Sequence, residues 1–220
     1  ILRDNMEIIF ISATGTEIGK TYITSKYISS LRKRGKKIAA LKPVITGLDL
    51  TDPENYKASD AAILLQALGE EITINNIKKI SPFQFQLAAS PYAAAIAEGE
   101  ELDYQELLDF TENYIKQNQH LDYLIIEGVG GVLSPLNSKK HNLDFANDLA
   151  ANLYLIAGNY LGTISHTLTA LKSIEQYLEI KLEKVIINNY PDSDLEILAA
   201  NSKEIELFSN RELEVFNEVV

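Results

Sequence analysis

The sequence predicts an α/β fold, a single domain built on a mainly parallel β-sheet with helices on both faces. Three observations carry that expectation. Short runs that are apolar on both faces recur along the chain, as strands do when helices cover both sides of a sheet. Between them lie segments whose apolar residues return at helical spacing, and strands separated by helices join by right-handed crossovers into parallel sheets. The composition, 46% hydrophobic and 23% charged over 220 residues with no linker or repeat, is that of one compact chain. A chain of this size buries about 70% of the surface that its unfolded form exposes.

The first strand is expected at residues 8–11, before a helix whose Ile23, Tyr27, Ile28 and Leu31 repeat along one face and which stops near Gly35. Ile38–Leu41 is the second strand. Ser59 and Asp60 can cap a helix over residues 61–68 that Gly69 closes, and Ser90-Pro91 opens another, because proline suits a first turn. A longer helix follows Asp103 on Tyr104, Leu107, Leu108, Thr111, Tyr114 and Ile115, leading to a third strand at 123–126. The next strands are 153–157 and 185–187, with a helix from Gly162-Thr163 to about Tyr177 between them. Asp192 to Asp194 caps a last helix, and 205–208 reads as a final strand. Residues 73–90 carry no regular pattern. Met6 is the only methionine, so residues 1–5 are set apart as an expression remnant or an upstream extension, and the domain is taken as 6–220.

Composition excludes several chemistries. The chain has no Cys, which removes thiol nucleophiles, iron–sulfur clusters and Cys-based zinc sites, and His120, His141 and His166 are too scattered for a His-rich metal cage. Twenty Lys and Arg against 31 Asp and Glu give a net charge of −11, which opposes nucleic-acid backbones and anionic membrane surfaces. The one basic run, residues 32–37 around Gly35, suits a solvated helix terminus that compensates the helix dipole. No apolar stretch approaches the roughly 20 residues that cross a bilayer, and no signal-peptide pattern opens the chain. The expectation is a soluble, cytoplasmic protein with neither nucleic-acid nor membrane partners.

Ligands of open parallel sheets bind beyond the carboxyl ends of the strands. After the first strand comes Ser12-Ala13-Thr14-Gly15-Thr16-Glu17-Ile18-Gly19-Lys20-Thr21, running straight into a helix. Backbone N–H groups of such a loop surround phosphate oxygens, Lys20 reaches the terminal phosphates, and the Thr21 hydroxyl can bind Mg²⁺. This is a P-loop, although the strict pattern wants glycine where Thr14 stands and Gly15 lies one position later. The second strand ends in Leu41-Lys42-Pro43-Val44-Ile45-Thr46-Gly47, which sets Lys42 at the same edge. Asp60 is either a second anion for the site or simply a helix cap. Glu127 ends an apolar strand before Gly128-Val129-Gly130-Gly131, where a carboxylate needs a cation. With Thr21 and water, Asp60 and Glu127 supply the hard oxygen ligands that Mg²⁺ prefers.

These pieces in this order resemble the dethiobiotin synthetases, P-loop enzymes of biotin synthesis, from Ile8 to about Asn188. The elements are GTEIGKT at the loop, LKPVITG after the second strand, ASDA at Asp60, SPYAAA at Ser90, IEGVGG at Glu127 and NYLGTISHTLTA from Asn159. The resemblance implies that 7,8-diaminopelargonate, CO₂ or bicarbonate and MgATP give dethiobiotin, ADP and phosphate through a carbamate and its mixed anhydride with phosphate. By matching motifs it gives Lys42 the principal catalytic role beside Lys20 and Thr16. Glu17, Ile18, Gly19, Lys20, Thr21 and Tyr22 wrap the phosphates, Gly128, Val129 and Gly130 flank the nucleotide, and Asn188 meets the base. Thr21, Asp60 and Glu127 take the Mg²⁺. Thr16, Lys42 and Thr46 hold the diamine or carbamate, and Gly162, Thr163, Ile164 and Ser165 hold its carboxylate from the other subunit of a homodimer. His166 is read as packing or a dimer contact.

The chain departs from the family at Ala13, which replaces the first loop glycine, and at Val129 in a loop usually read EGAGG. Asn188 is followed by Asn189 rather than arginine, and 207–210 lack the proline expected after the next strand. Loose base reading follows, with adenine exposed near Asn188 and Phe208. The alternative function is a partition or division-type P-loop switch ATPase. That class carries an extra lysine about where Gly15 stands and often a basic or amphipathic surface element, both missing here. A small-molecule kinase, the third reading, lacks the Arg-rich lid of nucleotide kinases.

Overall fold

The structure, a computed structural model, describes residues 6–191 and 194–216. In chain order its elements are β1 (Glu7–Ala13), α1 (Lys20–Lys33), β2 (Ile38–Leu41), β3 (Val44–Thr46), α2 (Pro53–Ala58), α3 (Asp60–Leu68), α4 (Ile74–Ile80), β4 (Phe83–Phe85), α5 (Pro91–Ala97) and α6 (Tyr104–Gln117). They continue with β5 (Tyr123–Glu127), α7 (Asn142–Asp148), β6 (Asn152–Asn159), α8 (Thr163–Ile174), β7 (Lys181–Pro191), α9 (Leu195–Ser209) and β8 (Glu214–Phe216). Among the described residues, the main sheet has six parallel strands in the order β2-β5-β1-β6-β7-β8. A small parallel pair, β3-β4, stands apart.

The central strands are buried on both faces, as the unbroken apolar runs require: Ile9 and Phe10 of β1 and Leu124, Ile125 and Ile126 of β5 are inaccessible to solvent. Phe10 meets Phe145 of α7 edge to face, with ring centroids 5.8 Å apart. Parallel register then fixes the functional edge. Ile11 stands opposite Glu127 and Ala13 opposite Ile156, so the loops after β1, β5 and β6 leave the sheet side by side.

Helix ends follow their local chemistry. The Ser59 hydroxyl accepts from the Ala62 N–H, Ser90 from Ala93, and Asp103 and Asp194 each accept from two N–H groups of the helix that follows. Arg32, in the basic run, donates to the Ala67 carbonyl at the end of α3 with a distance of 2.8 Å. One member of that run thus serves a helix terminus.

Several sequence expectations change. Residues 205–208 are not a strand but the last turns of α9, whose Leu198, Ser202 and Ile205 are buried at helical spacing. A four-residue apolar run fits either element, and the helix started by Asp194 carries straight through it. The edge strand is β8, further along the chain. Residues 73–90 hold α4 and β4, and α8 stops at Ile174 instead of Tyr177. Residues 1–5 and Asp192 lie outside the described residues.

Candidate active site

The loop after β1 enters α1 through Gly19, which adopts φ 84°. A side chain there would be strained and would run into the Asn188 amide, so the position calls for glycine. Ile18 points into the core, and the Asn188 Nδ2 donates to its carbonyl across 2.8 Å, tying the loop to the end of β7. From the other side the Ala13 carbonyl accepts from the Val132 N–H at 2.9 Å. Helix α1 has no side-chain cap, so its first N–H groups face the loop, the arrangement that holds an anion.

Behind that helix end lies a buried ionic cluster. Lys42 and Glu127 are each 1% exposed, while the Asp60 side chain is 41% exposed. The Lys42 ammonium donates to Glu127 Oε1 at 2.9 Å and to the Gly128 carbonyl at 3.0 Å, and it meets Asp60 Oδ2 at 3.1 Å. Thr21 Oγ1 donates to the same Glu127 Oε1 at 2.8 Å. Because Ser59 caps α3, the Asp60 carboxylate is released from capping and turns to Lys42.

Charge is tuned accordingly. Burial, then the like charge of Lys42, pushes the Lys20 pKa down to about 8 against the pull of Glu127 and Asp60. Burial works on Lys42 in the same direction, but Glu127 and Asp60 outweigh it and hold its pKa above the usual lysine value. Burial would raise the Asp60 carboxyl; Lys42, Lys20 and a hydrogen bond from Thr21 outweigh it and keep it below the usual carboxylate range.

A cavity of about 1150 Å³ opens over this cluster. Of the sequence-derived residues, Thr16, Glu17, Gly19, Lys20, Thr21, Tyr22, Lys42, Thr46, Asp60, Val129, Gly130 and Asn188 line it. Ile18 and Gly128 lie behind the lining, acting through their carbonyls on Asn188 and Lys42. Gly162, Thr163, Ile164 and Ser165 do not reach this cavity of their own chain. They form the start of α8, which like α1 begins on a glycine without a side-chain cap, and nearby His166 Nδ1 pairs with the Tyr160 hydroxyl at 2.9 Å. Phe208 is exposed on α9 and takes no part in the lining, whereas Asn188 does. Sequence reasoning missed Ile45, Ala88, Ala89 and Ser134 as lining, along with the wall made by Tyr190 and Pro191. The β3-β4 pairing brings Ala88 against Gly47, and no local pattern in residues 73–90 signals that contact.

Among the described residues no group of three or more His, Cys, Asp or Glu gathers as a metal cluster. Thr21, Asp60 and Glu127 are a sparser, all-oxygen set, the kind that suits Mg²⁺ sharing its shell with phosphates and water. Glu127 Oε2 is buried without a hydrogen-bond partner, an unfilled acceptor that fits such an ion.

A family model described as "AAA domain" matches residues 7–219. Solved structures with similar folds include the MinD cell division protein of Aquifex aeolicus, 17% identical with a TM-score of 0.51, covering 97% of this chain and 83% of that one. Another is the signal recognition particle 54 kDa protein of Aeropyrum pernix in complex with GDP, 9% identical with a TM-score of 0.56, covering 97% and 42%. At such identities they speak for the fold alone. Sequence relatives are closer: the ATP-dependent dethiobiotin synthetase BioD of Methylobacterium nodulans is 36% identical over 84% of this chain and 82% of the relative. That of Caulobacter sp. strain K31 is 37% identical over 86% and 78%, and that of Wolinella succinogenes 36% over 77% and 76%. On this similarity, spread over most of both sequences, the chain belongs to the ATP-dependent dethiobiotin synthetase family.

Proposed function

We propose that this chain is an ATP-dependent ligase that closes the cyclic urea of dethiobiotin on 7,8-diaminopelargonate, with residues 6–220 acting as one catalytic domain. The observation that carries the reading is the Lys42–Glu127–Asp60 cluster at the uncapped start of α1, whose Lys42 and Asp60 line one cavity with Lys20 and Thr46. One amine of the diamine takes up CO₂ as a carbamate and loses a proton. A carbamate oxygen then attacks the γ-phosphorus of ATP and ADP leaves. The second amine attacks the carbamoyl carbon, phosphate departs, and the ring is closed.

The difficulty is electrostatic, since an anionic carbamate must approach an anionic triphosphate. Lys20 and the first N–H groups of α1 hold the phosphates, and Lys42 meets the charge that develops between carbamate and phosphoryl group. Thr16 and Thr46 orient the diamine and carbamate, while Glu17 and Tyr22 flank the phosphates. Thr21, Asp60 and Glu127 would hold Mg²⁺, which supplies charge neutralisation on the phosphate oxygens when bound. Asn188 gives one Nδ2 proton to the Ile18 carbonyl, which leaves its second N–H and Oδ1 to meet a base. Either edge suits it, an adenine amino group on Oδ1 or a guanine carbonyl on the second N–H, so base reading stays loose and GTP or CTP should support the reaction within about tenfold of ATP.

The start of α8 binds the substrate carboxylate in the partner's site of a homodimer. Its uncapped N–H groups and its distance from its own cavity support that reading. Among the described residues no helix is long and apolar enough to cross a membrane, and we take the enzyme to work in the cytoplasm. With bicarbonate labelled in all its oxygens, one ¹⁸O should reach the released phosphate. Phosphate free of label would contradict the carbamate route.

A further inference from the structure

We propose that Lys42 is the resident cation of the metal position: it occupies the Glu127–Asp60 pair in the nucleotide-free protein and is displaced toward the substrate when a divalent ion enters. The inference rests on the reading of Thr21, Asp60 and Glu127 as the metal ligands. An ammonium has three donor positions. All of Lys42's are engaged inward, on Glu127 Oε1 at 2.9 Å, Asp60 Oδ2 at 3.1 Å and the Gly128 carbonyl at 3.0 Å. In this arrangement none is left for a carbamate, so the catalytic role of Lys42 requires that it give up at least one of these partners.

A divalent ion on the same two carboxylates supplies the charge that Lys42 supplies at rest. Two cations sharing Glu127 Oε1 repel strongly in so buried a place. The carboxylate can begin the exchange, because Oε2 is buried and has no hydrogen-bond partner. Metal entry and lysine release are thus one event: the ion that accompanies the nucleotide also frees the lysine that the carbamate needs.

The exchange has an unusual sign. Removing a catalytic lysine should tighten metal binding, whereas removing a lysine that merely orients the carboxylates leaves metal binding unchanged or weaker. The test is electron paramagnetic resonance titration of Mn²⁺ into the full chain without nucleotide, comparing wild type, Lys42→Met, Lys42→Arg and Lys42→Met with Glu127→Gln. Lys42→Met should bind Mn²⁺ at least about tenfold more tightly than wild type. Lys42→Arg, which keeps the charge, should stay near wild type, and adding Glu127→Gln should remove the gain.

Equal or weaker binding by Lys42→Met overturns the proposal while leaving the ligand reading intact if Glu127→Gln alone weakens Mn²⁺ binding in the presence of ATP. Tight binding that survives Glu127→Gln puts the ion elsewhere and overturns both. Lys42→Met leaves Glu127 buried without its cation, so melting is followed in parallel. The rise in Tm on adding Mn²⁺ should be larger in Lys42→Met than in wild type, and an equal or smaller rise contradicts the exchange.

Discussion

Lys20 and Lys42 are both buried lysines, yet their surroundings push them in opposite directions. Lys20 has a folded pKa of about 8, lowered by burial and by Lys42 from an ordinary 10.5. Between those values the unfolded chain binds more protons than the folded one, so this group's contribution to stability rises with pH across that window. Below about pH 8 the folded chain carries the cost of a buried charge. Lys20→Met should therefore stabilise the nucleotide-free protein at pH 7, by roughly 1 to 3 kcal/mol in urea unfolding, while abolishing ATP binding. Bound phosphates favour the charged lysine, so at pH 8.5 calorimetry in buffers of different ionisation enthalpy should show proton uptake on ATP binding. Lys42→Ala should differ in kind, with ATP bound within a few-fold of wild type and kcat reduced more than about a hundredfold, near 2.7 kcal/mol of barrier. A loss within tenfold would remove Lys42 from the chemistry.

At the scale of elements, the loop between β1 and α1 is held from two sides, by Val132 on Ala13 and by Asn188 on Ile18. Asn188→Ala leaves the buried Ile18 carbonyl unpaired, which costs about 1 to 3 kcal/mol. It should weaken binding of the bare triphosphate, of ATP and of GTP to a similar degree. Titration with each ligand checks this, and a variant that bound the bare triphosphate as tightly as wild type would show that Asn188 does not brace the loop.

The sequence made the loop and its partners legible because each lies just beyond a strand that is apolar on both faces, β1, β2 or β5, and the parallel register gathers those ends. Asp60 was ambiguous until Ser59 proved to be the cap. The lining from Ala88 to Ser90 depends on β3 and β4 meeting across a long separation, and three-residue strands carry too little alternation to announce it. β8 hid for a similar reason: Glu214, Val215 and Phe216 form a short edge strand without the apolar run of the interior strands. Residues 205–208 imitated such a run, although within α9 Ile205 alone of the four is buried and Leu207 and Phe208 face solvent.

At the scale of the molecule, the cavity is lined by the residues proposed to act on phosphate and carbamate, but the uncapped start of α8 lies outside it. The proposed two-fold dimer would bring α8 of one subunit to the cavity of the other and complete the site. Mixing a Lys42→Ala subunit with a Gly162→Val subunit should then restore part of the activity, because one of the two sites in a mixed dimer is intact. Gly162 adopts φ 98°, so valine there distorts the start of α8. A fully active monomer in sedimentation would exclude the shared site. In the proposed reaction, phosphoryl transfer is coupled to urea closure. Phosphate release measured with ATP and Mg²⁺ should stay near background with diamine alone or bicarbonate alone, and should rise with both, one phosphate for each dethiobiotin formed. Phosphate release at the same rate without diamine or without bicarbonate would contradict that account.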